Sequence, residues 1–291
     1  VRLVQPDRIK QHALERFRSE YHYAVFEYYR SAKVIAFMEQ HGVTIGGRIL
    51  DAGCGGGGMP VSLAEEQAAV TAIDLRDRFV QAGERLRDEL RLTRLQFAQA
   101  DGTALPFASS SFDGVLSHAV IEHVADADRY LAELSRVLKP GGWMYLSTSP
   151  YLSFAGAHLP RLIVPVPLHL LLGRRAAFAA FVWLARHASW TLREKENENT
   201  FIKDALSGRR KHDDLLELVR VRRLRDQLAR AGFRVAHEEL TLTTTFQKLP
   251  GPLPAWIRDS ALTQDIAISV MQYVLFKPAD GASAGAGRAG T

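Results

Sequence analysis

The run Arg48-Ile-Leu-Asp-Ala-Gly-Cys-Gly-Gly-Gly-Gly58 sets a carboxylate two places before a cluster of five glycines. Glycine has no Cβ, so such a turn can take positive φ and bring backbone N–H groups close to a ligand. Gly53, Gly55 and Gly58 satisfy G-x-G-x-x-G, the spacing of a dinucleotide-binding turn, so the glycines alone leave the ligand open. A structural strand-to-helix turn is a third reading. Asp51 weighs on the choice, because a carboxylate at the mouth repels a pyrophosphate and suits a ligand with ammonium and sulfonium charge. More polar groups follow apolar runs. Asp74 could accept both hydroxyls of a ribose, Asp101-Gly102 could meet an exocyclic amine, and Ser117 and His118 come next. Each also has a bland role: Asp74 and Asp101-Gly102 as turn residues, Ser117 and His118 as packing.

These groups need elements to place them. Helical spacing of Phe17, Tyr21, Ala24, Tyr28, Ala32 and Ile35 predicts helix over about 7–40, with a break near Ser19–Tyr23. Strands are expected at 48–52, Ala69–Asp74, Leu95–Ala100, Phe112–Ser117 and Trp143–Ser147, and helices at 58–67, Phe79–Arg91 and Asp126–Leu138. Strands alternating with helices predict parallel βαβ units, hence an α/β doubly wound sheet whose ligand lies across the strand carboxyl ends. After Pro150 the rhythm breaks. A helix is expected at Val221–Ala231, and β-rich runs at Arg234–Thr245 and Ser269–Phe276 should form an antiparallel edge hairpin, completing a mostly parallel seven-stranded sheet. The expected divisions are a helical cap (1–44), the α/β core (45–150), a largely helical insertion (151–218), a completing helix and edge strands (219–278) and a disordered Gly/Ala/Ser-rich tail (279–291).

Composition narrows the classes. The 291 residues are 47% apolar and 24% charged, enough for a real core, with a formal charge of +5. The basic residues are scattered among nearly as many acids, which permits anionic partners without requiring nucleic acid. A single cysteine, Cys54, excludes an intramolecular disulfide or multi-cysteine metal site and fits a cytoplasmic setting. No apolar leader is expected from Val1–Arg8. The most apolar region, Leu159–Ala188, is interrupted by Pro165, Pro167, Arg174, Arg175 and Arg186, so no transmembrane segment is expected there. Arg174-Arg175 among apolar residues would suit peripheral contact with a membrane surface.

The segments ILDAGCGGGG (49–58), AIDL (72–75), AQADGTALPFASSSFDGVLSHAVIEHV (98–124) and ELSRVLKPGGWMYLST (133–148) occur in order. With them the chain resembles the class I S-adenosylmethionine-dependent methyltransferases, in particular the small-molecule and quinone methylases. RLRDQLARAGFRV at 223–235 extends the likeness more loosely. The resemblance implies a Rossmann-like methyltransferase fold and S-adenosyl-L-methionine as cofactor. It places Asp51, Ala52, Gly53, Cys54 and Gly55 around the methionine and ribose portions and Asp74 on the ribose hydroxyls. It sets Leu75 on the adenine face, Asp101 and Gly102 at the adenine edge, and Ser117 and His118 at the methionine end. Lys139-Pro140-Gly141-Gly142 is a reverse turn without chemistry there. Gly58 exceeds the usual pattern, which implies a small shift in the helix that follows.

Methyl transfer from a sulfonium mainly needs alignment of nucleophile, methyl carbon and sulfur. A hydroxyl acceptor also benefits from a base, for which His118, His123 and His158 are the candidates. His123, in Ile-Glu-His-Val, has packing as its bland role. No metal-ligand spacing is present. The expected acceptor is a partly apolar, lipid-linked or sugar-containing small molecule under a lid formed by 151–218. That segment also reads as a dimer interface or plain core. The competing functions are a nicotinamide-dependent oxidoreductase, against which Asp51 and the LKPGG turn argue, and a non-catalytic S-adenosylmethionine-binding partner. Nucleic acid is disfavoured as substrate, since Ser117-His118-Ala119-Val120 stands where an N-P-P-[YF] tetrad would lie.

Overall fold

The computed structural model describes residues 3–153, 159, 162–163, 167–193, 199–212 and 218–279. Helices α1 (Pro6–Glu15) and α2 (Glu20–Gln40) lead into β1 (Arg48–Ala52), α3 (Gly58–Glu65), β2 (Ala69–Asp74), α4 (Asp77–Glu89) and β3 (Leu95–Gln99). Next come β4 (Phe112–His118), α5 (Ala127–Val137) and β5 (Leu138–Thr148), then α6 (Leu168–His187) and α7 (Thr200–Leu206). The chain continues through α8 (Val221–Arg230), β6 (Arg234–Leu242), α9 (Thr244–Gln247), α10 (Leu253–Asp259), α11 (Gln264–Ala267) and β7 (Ile268–Phe276). The expected helix break is present: Ser19 is the N-cap of α2, its side chain accepting from the His22 N–H.

The seven strands form one sheet in the order β3-β2-β1-β4-β5-β7-β6. The first five are parallel, and β7 runs antiparallel to both β5 and β6. Strand order reverses between β1 and β4, which places the switch point at the carboxyl end of β1. Side chains alternate faces along each strand. Ile49 and Leu116 therefore join α2, α3 and α4 residues such as Ile35, Leu63 and Leu86 in one core layer. Leu50 and Val115 join Tyr130 and Leu134 of α5 and Leu224 of α8 in the other.

One expected boundary is corrected. β6 stops at Leu242 rather than Thr245, because Thr243 starts a helical turn in which its carbonyl accepts from Phe246 and Gln247. The expected antiparallel edge pair is present, and residues 243–267 with three short helices connect β6 to β7. The apolar region is broken beside Arg174 and Arg175, at Gly173 (φ 74°, ψ 171°). α6 is 20 residues long with mean hydropathy 1.3, and by length and composition alone it could cross a membrane. Lys139–Gly142 lies within β5 rather than in a separate reverse turn. β4 pairing jumps from Phe112 with Leu138 to Gly114 with Trp143, so these four residues leave the ladder.

α6 and α7 pack on each other through Phe181, Ala185, Leu192, Ile202 and Ala205, a cluster separate from the sheet's two layers. The segment leaves the sheet past the carboxyl end of β5 and returns beside its point of departure, where the Tyr151 N–H donates to the Val219 carbonyl (2.9 Å). The tail residues 280–291 lie outside the described residues.

Candidate active site

β1 ends in a turn that is held from three sides. The Gly53 and Cys54 N–H groups both donate to the Ile73 carbonyl (2.8 Å each). The Tyr130 hydroxyl donates to the Ala52 carbonyl (2.9 Å) and meets Ser117 Oγ at 2.9 Å. The Gly55 N–H donates to Asp74 Oδ2 (3.0 Å), while Arg76 N–H donates to Oδ1 (2.9 Å). Backbone groups thus orient the Asp74 carboxylate before any ligand arrives.

The glycines divide by purpose. Gly55 has φ +51°, and a Cβ built there meets nothing within 4 Å, so its outer side is open space. A Cβ on Gly58 would lie 2.0 Å from the Ala24 carbonyl oxygen of α2. The additional glycine therefore lets α2 lie directly on the turn, and α3 begins at Gly58 itself.

That closeness brings in residues the sequence reading missed. Tyr23, Glu27 and Arg30 recur at helical spacing along α2, and all three reach the switch point. Arg30 Nη2 lies 2.5 Å from Glu27 Oε1 and donates to His118 Nε2 (2.6 Å). Glu27 is 8% exposed, whereas the Arg30 side chain keeps 31% exposure. Burial opposes the Arg30 charge, but Glu27 and then Tyr23 and Tyr145 hold it above its ordinary range. The Glu27 carboxylate, followed by burial, pushes the Tyr23 phenol up. Tyr145, whose ring stacks on His118 with centroids 6.0 Å apart, is pushed up to about 12, chiefly by burial. The overlooked signal was Glu27 standing among Ala24, Ser31, Ala32 and Ile35, on the stripe that α2 buries.

Asp51 is 2% exposed. Burial first, then the nearby Glu27 and Asp74 carboxylates, hold it well above the usual carboxylate range. Burial, then Asp51 and Asp74, likewise push up the Cys54 thiol, which marks it as an inert packed residue. The switch point thus gathers the acids Glu27, Asp51 and Asp74, with the Arg30 guanidinium paired to the first of them.

The remaining expected residues separate into groups. Leu75 is 64% exposed and Asp101 is exposed beyond the same strand ends, while Gly102 packs closely on the Tyr130 ring. Asp101 accepts from both the N–H and the hydroxyl of Thr103, which lower its pKa. Ser117 departs from expectation. It is fully buried beneath the turn, its hydroxyl engaged with Tyr130, so it supports the loop rather than facing a ligand. Ala52 is buried in the same way. Among the histidines, burial and then Arg30 hold His118 well below its ordinary pKa, so the ring is neutral near pH 7. Arginine only donates, so His118 Nε2 is the acceptor and Nδ1 bears the proton. That Nδ1 is buried without a hydrogen-bond partner among the described residues. The only lone pair of the ring is occupied, so His118 is arranged to donate rather than to take up a proton. His123 is exposed on the single 3-10 turn Ile121–His123, and His158 lies outside the described residues. Among the described residues, no group of three or more His, Cys, Asp or Glu is placed to hold a metal ion.

Residues 50–146 match the family model described as "Methyltransferase domain". The chain is 36% identical over 104 residues to a ubiquinone biosynthesis O-methyltransferase from Paracidovorax citrulli, covering 35% of this chain and 44% of that protein. It is also 36% identical over 109 residues to a ubiquinone/menaquinone biosynthesis C-methyltransferase from Teredinibacter turnerae, covering 36% and 44%. The chain therefore spans less than half the length of these curated relatives. In fold it is similar to an S-adenosylmethionine-dependent methyltransferase from Mesorhizobium loti, with TM-score 0.51, 21% identity, and coverage of 83% of this chain and 96% of that one.

Proposed function

Because residues 50–146 form a class I S-adenosylmethionine-dependent methyltransferase domain, we propose that the chain moves a methyl group from S-adenosyl-L-methionine to a small, partly apolar acceptor. The observation that carries this reading is the charge pattern at the switch point. The methionine end of the cofactor presents a carboxylate, an ammonium and a sulfonium. Arg30 suits the carboxylate, while Asp51 and Glu27 suit the positive groups. Asp74, oriented by Gly55 and Arg76, suits the ribose hydroxyls. The exposed Leu75 offers an apolar face to adenine, with Asp101 at its edge. A pyrophosphate would meet Asp51 and Asp74 with like charge, which argues against a nicotinamide cofactor.

When bound, the cofactor supplies an electrophilic methyl group on a good leaving group. What the protein must add is alignment and exclusion of water. We assign both to Tyr23, Arg30 and His118, which α2 and β4 bring together at the switch point. We assign the His118 Nδ1–H, buried and without a partner among the described residues, to orienting an acceptor oxygen rather than deprotonating it. The insertion leaves the sheet past the carboxyl end of β5, and we assign it to the acceptor as a lid over the methyl group. The match to both an O- and a C-methyltransferase leaves the hydroxyl as the favoured acceptor because of that single donor.

Calorimetry tests the cofactor, with S-adenosylmethionine expected to bind at micromolar strength and NAD not at all. Asp74→Ala should weaken binding about tenfold or more, through loss of two charge-assisted hydrogen bonds. Native affinity in a folded Asp74→Ala protein refutes the site. Transfer of labelled methyl to quinone-precursor phenols separates an enzyme from a protein that only binds the cofactor.

A further inference from the structure

The formal charge of +5 is not spread over the molecule. Residues 151–193 hold five arginines and no acid, and Asp and Glu are absent from the whole run 134–193. Everything outside 151–193 is electrically balanced. Within this segment lies α6, of whose most apolar window only 22% is buried.

Beyond Gly173, α6 is two-faced. Ala177, Phe181 and Ala185 are buried against α7. On the opposite side Ala176, Ala179 and Trp183 are exposed, between Arg175 and Arg186. Trp183 itself is 58% exposed, and Leu171 (68%), Leu172 (50%) and Trp190 (77%), which flank this part of the helix in sequence, are exposed as well. Asp204 of the adjoining α7 is paired with Arg209 at 2.7 Å, so no unpaired acid of that helix offsets the positive charge.

We propose that this face of α6 docks on an anionic lipid surface as an in-plane helix. The chemistry matches on both counts. Indole rings prefer the boundary between hydrocarbon and water, and arginines at the helix margin bury their stems while their heads reach lipid phosphates. Docking in the plane, rather than spanning, follows from the shape. Gly173 (φ 74°, ψ 171°) interrupts the helix, so the straight part from Arg174 to His187 rises only about 21 Å. A hydrocarbon core is about 30 Å thick. The face toward α7 is already covered by protein, which leaves one side for lipid. The inference is independent of the methyl-transfer reading, since it rests on a surface outside the switch point.

The test is sedimentation of the whole chain with vesicles of phosphatidylcholine, with and without phosphatidylglycerol. Binding is expected to the anionic vesicles alone, weakened by salt and accompanied by a blue shift of tryptophan emission. Arg175→Glu should lower vesicle affinity about fivefold or more, and Trp183→Glu should abolish the emission shift, with cofactor affinity unchanged in both. Should Trp183→Glu fail to fold, Leu171→Asn probes the same surface. No binding to either vesicle overturns the proposal, as does equal binding to neutral vesicles that salt leaves unchanged. Protein that resists extraction by alkaline carbonate overturns it in favour of a spanning helix. Concentration-dependent dimers that Trp183→Glu disrupts, without vesicle binding, assign the face to a second copy.

Discussion

Asp51 carries a cost in the free protein that a ligand should remove. Its carboxyl is held well above the usual range by burial, Glu27 and Asp74. An unfolded aspartate ionises near its ordinary pKa of about 3.9. Between that pH and the raised folded value, the folded chain binds more protons than the unfolded one, so stability falls as pH rises through the window. Above the folded value the full penalty applies. Asp51→Asn should therefore stabilise the free protein at neutral pH by about 1 kcal/mol, read as a Tm rise of about 2–4 °C. The same change should weaken S-adenosylmethionine binding, since the cationic end of that ligand loses its partner. A wild-type protein that ionises Asp51 on binding also releases a proton. Calorimetry in buffers of different ionisation heat, at pH values above the ordinary carboxylate range, should show that release and an affinity that rises with pH. No proton release, or a lower Tm in Asp51→Asn, removes Asp51 from this role.

At the scale of elements, the glycine turn and α2 act as one device, and two substitutions separate its parts. Gly58→Ala places a Cβ 2.0 Å from the Ala24 carbonyl oxygen, a backbone atom that yields only if α2 moves. A loss of about 1–3 kcal/mol or more is expected in denaturant unfolding, and with it the placement of Glu27 and Arg30. Gly55→Ala meets no atom, but its φ of +51° is left-handed. The cost should be about 1–2 kcal/mol of stability, with a disproportionate loss of cofactor affinity on the proposed reading, in which the open side of Gly55 meets the cofactor. Equal losses of binding per unit of stability in the two variants refute the division. This pairing also shows what could be read without coordinates. The strands β1 to β5 were legible because each is an apolar run ending at a polar group or turn, and local pattern suffices for such elements. Gly58 was legible only as a surplus, since its reason is a helix arriving from a distant part of the chain. Glu27 and Arg30 lie in an aromatic-rich helix, where charge among apolar residues reads as ordinary amphipathic spacing. Their meaning comes from His118 and Asp51, which only the tertiary fold brings beside them. The short helices α9 to α11 were missed for a related reason. They are held by caps and contacts against β6 and the second core layer, and they carry too few residues for a period to show.

For the whole molecule, the sheet and the insertion are separable in construction. The sheet buries its two layers between α2, α3 and α4 on one side and α5 and α8 on the other, and none of the α6–α7 cluster belongs to either layer. The chain leaves at Tyr151 and returns at Val219, which are joined by a 2.9 Å hydrogen bond. A short bridge can therefore replace what lies between. Loop-closure entropy changes slowly with length, by about 0.6 kcal/mol per doubling, so shortening this connection should not harm the sheet. Replacing 153–217 by two glycines should yield a folded chain with native-like circular dichroism and S-adenosylmethionine affinity within about threefold of the parent, a difference below 1 kcal/mol. Methyl transfer should fall by about a hundredfold or more, because alignment of the acceptor and exclusion of water go with the lid. Loss of cofactor affinity in a folded deletion would place the insertion in the cofactor site instead. Undiminished turnover would move acceptor recognition to α2 and the surroundings of His118, leaving the insertion with its surface role alone.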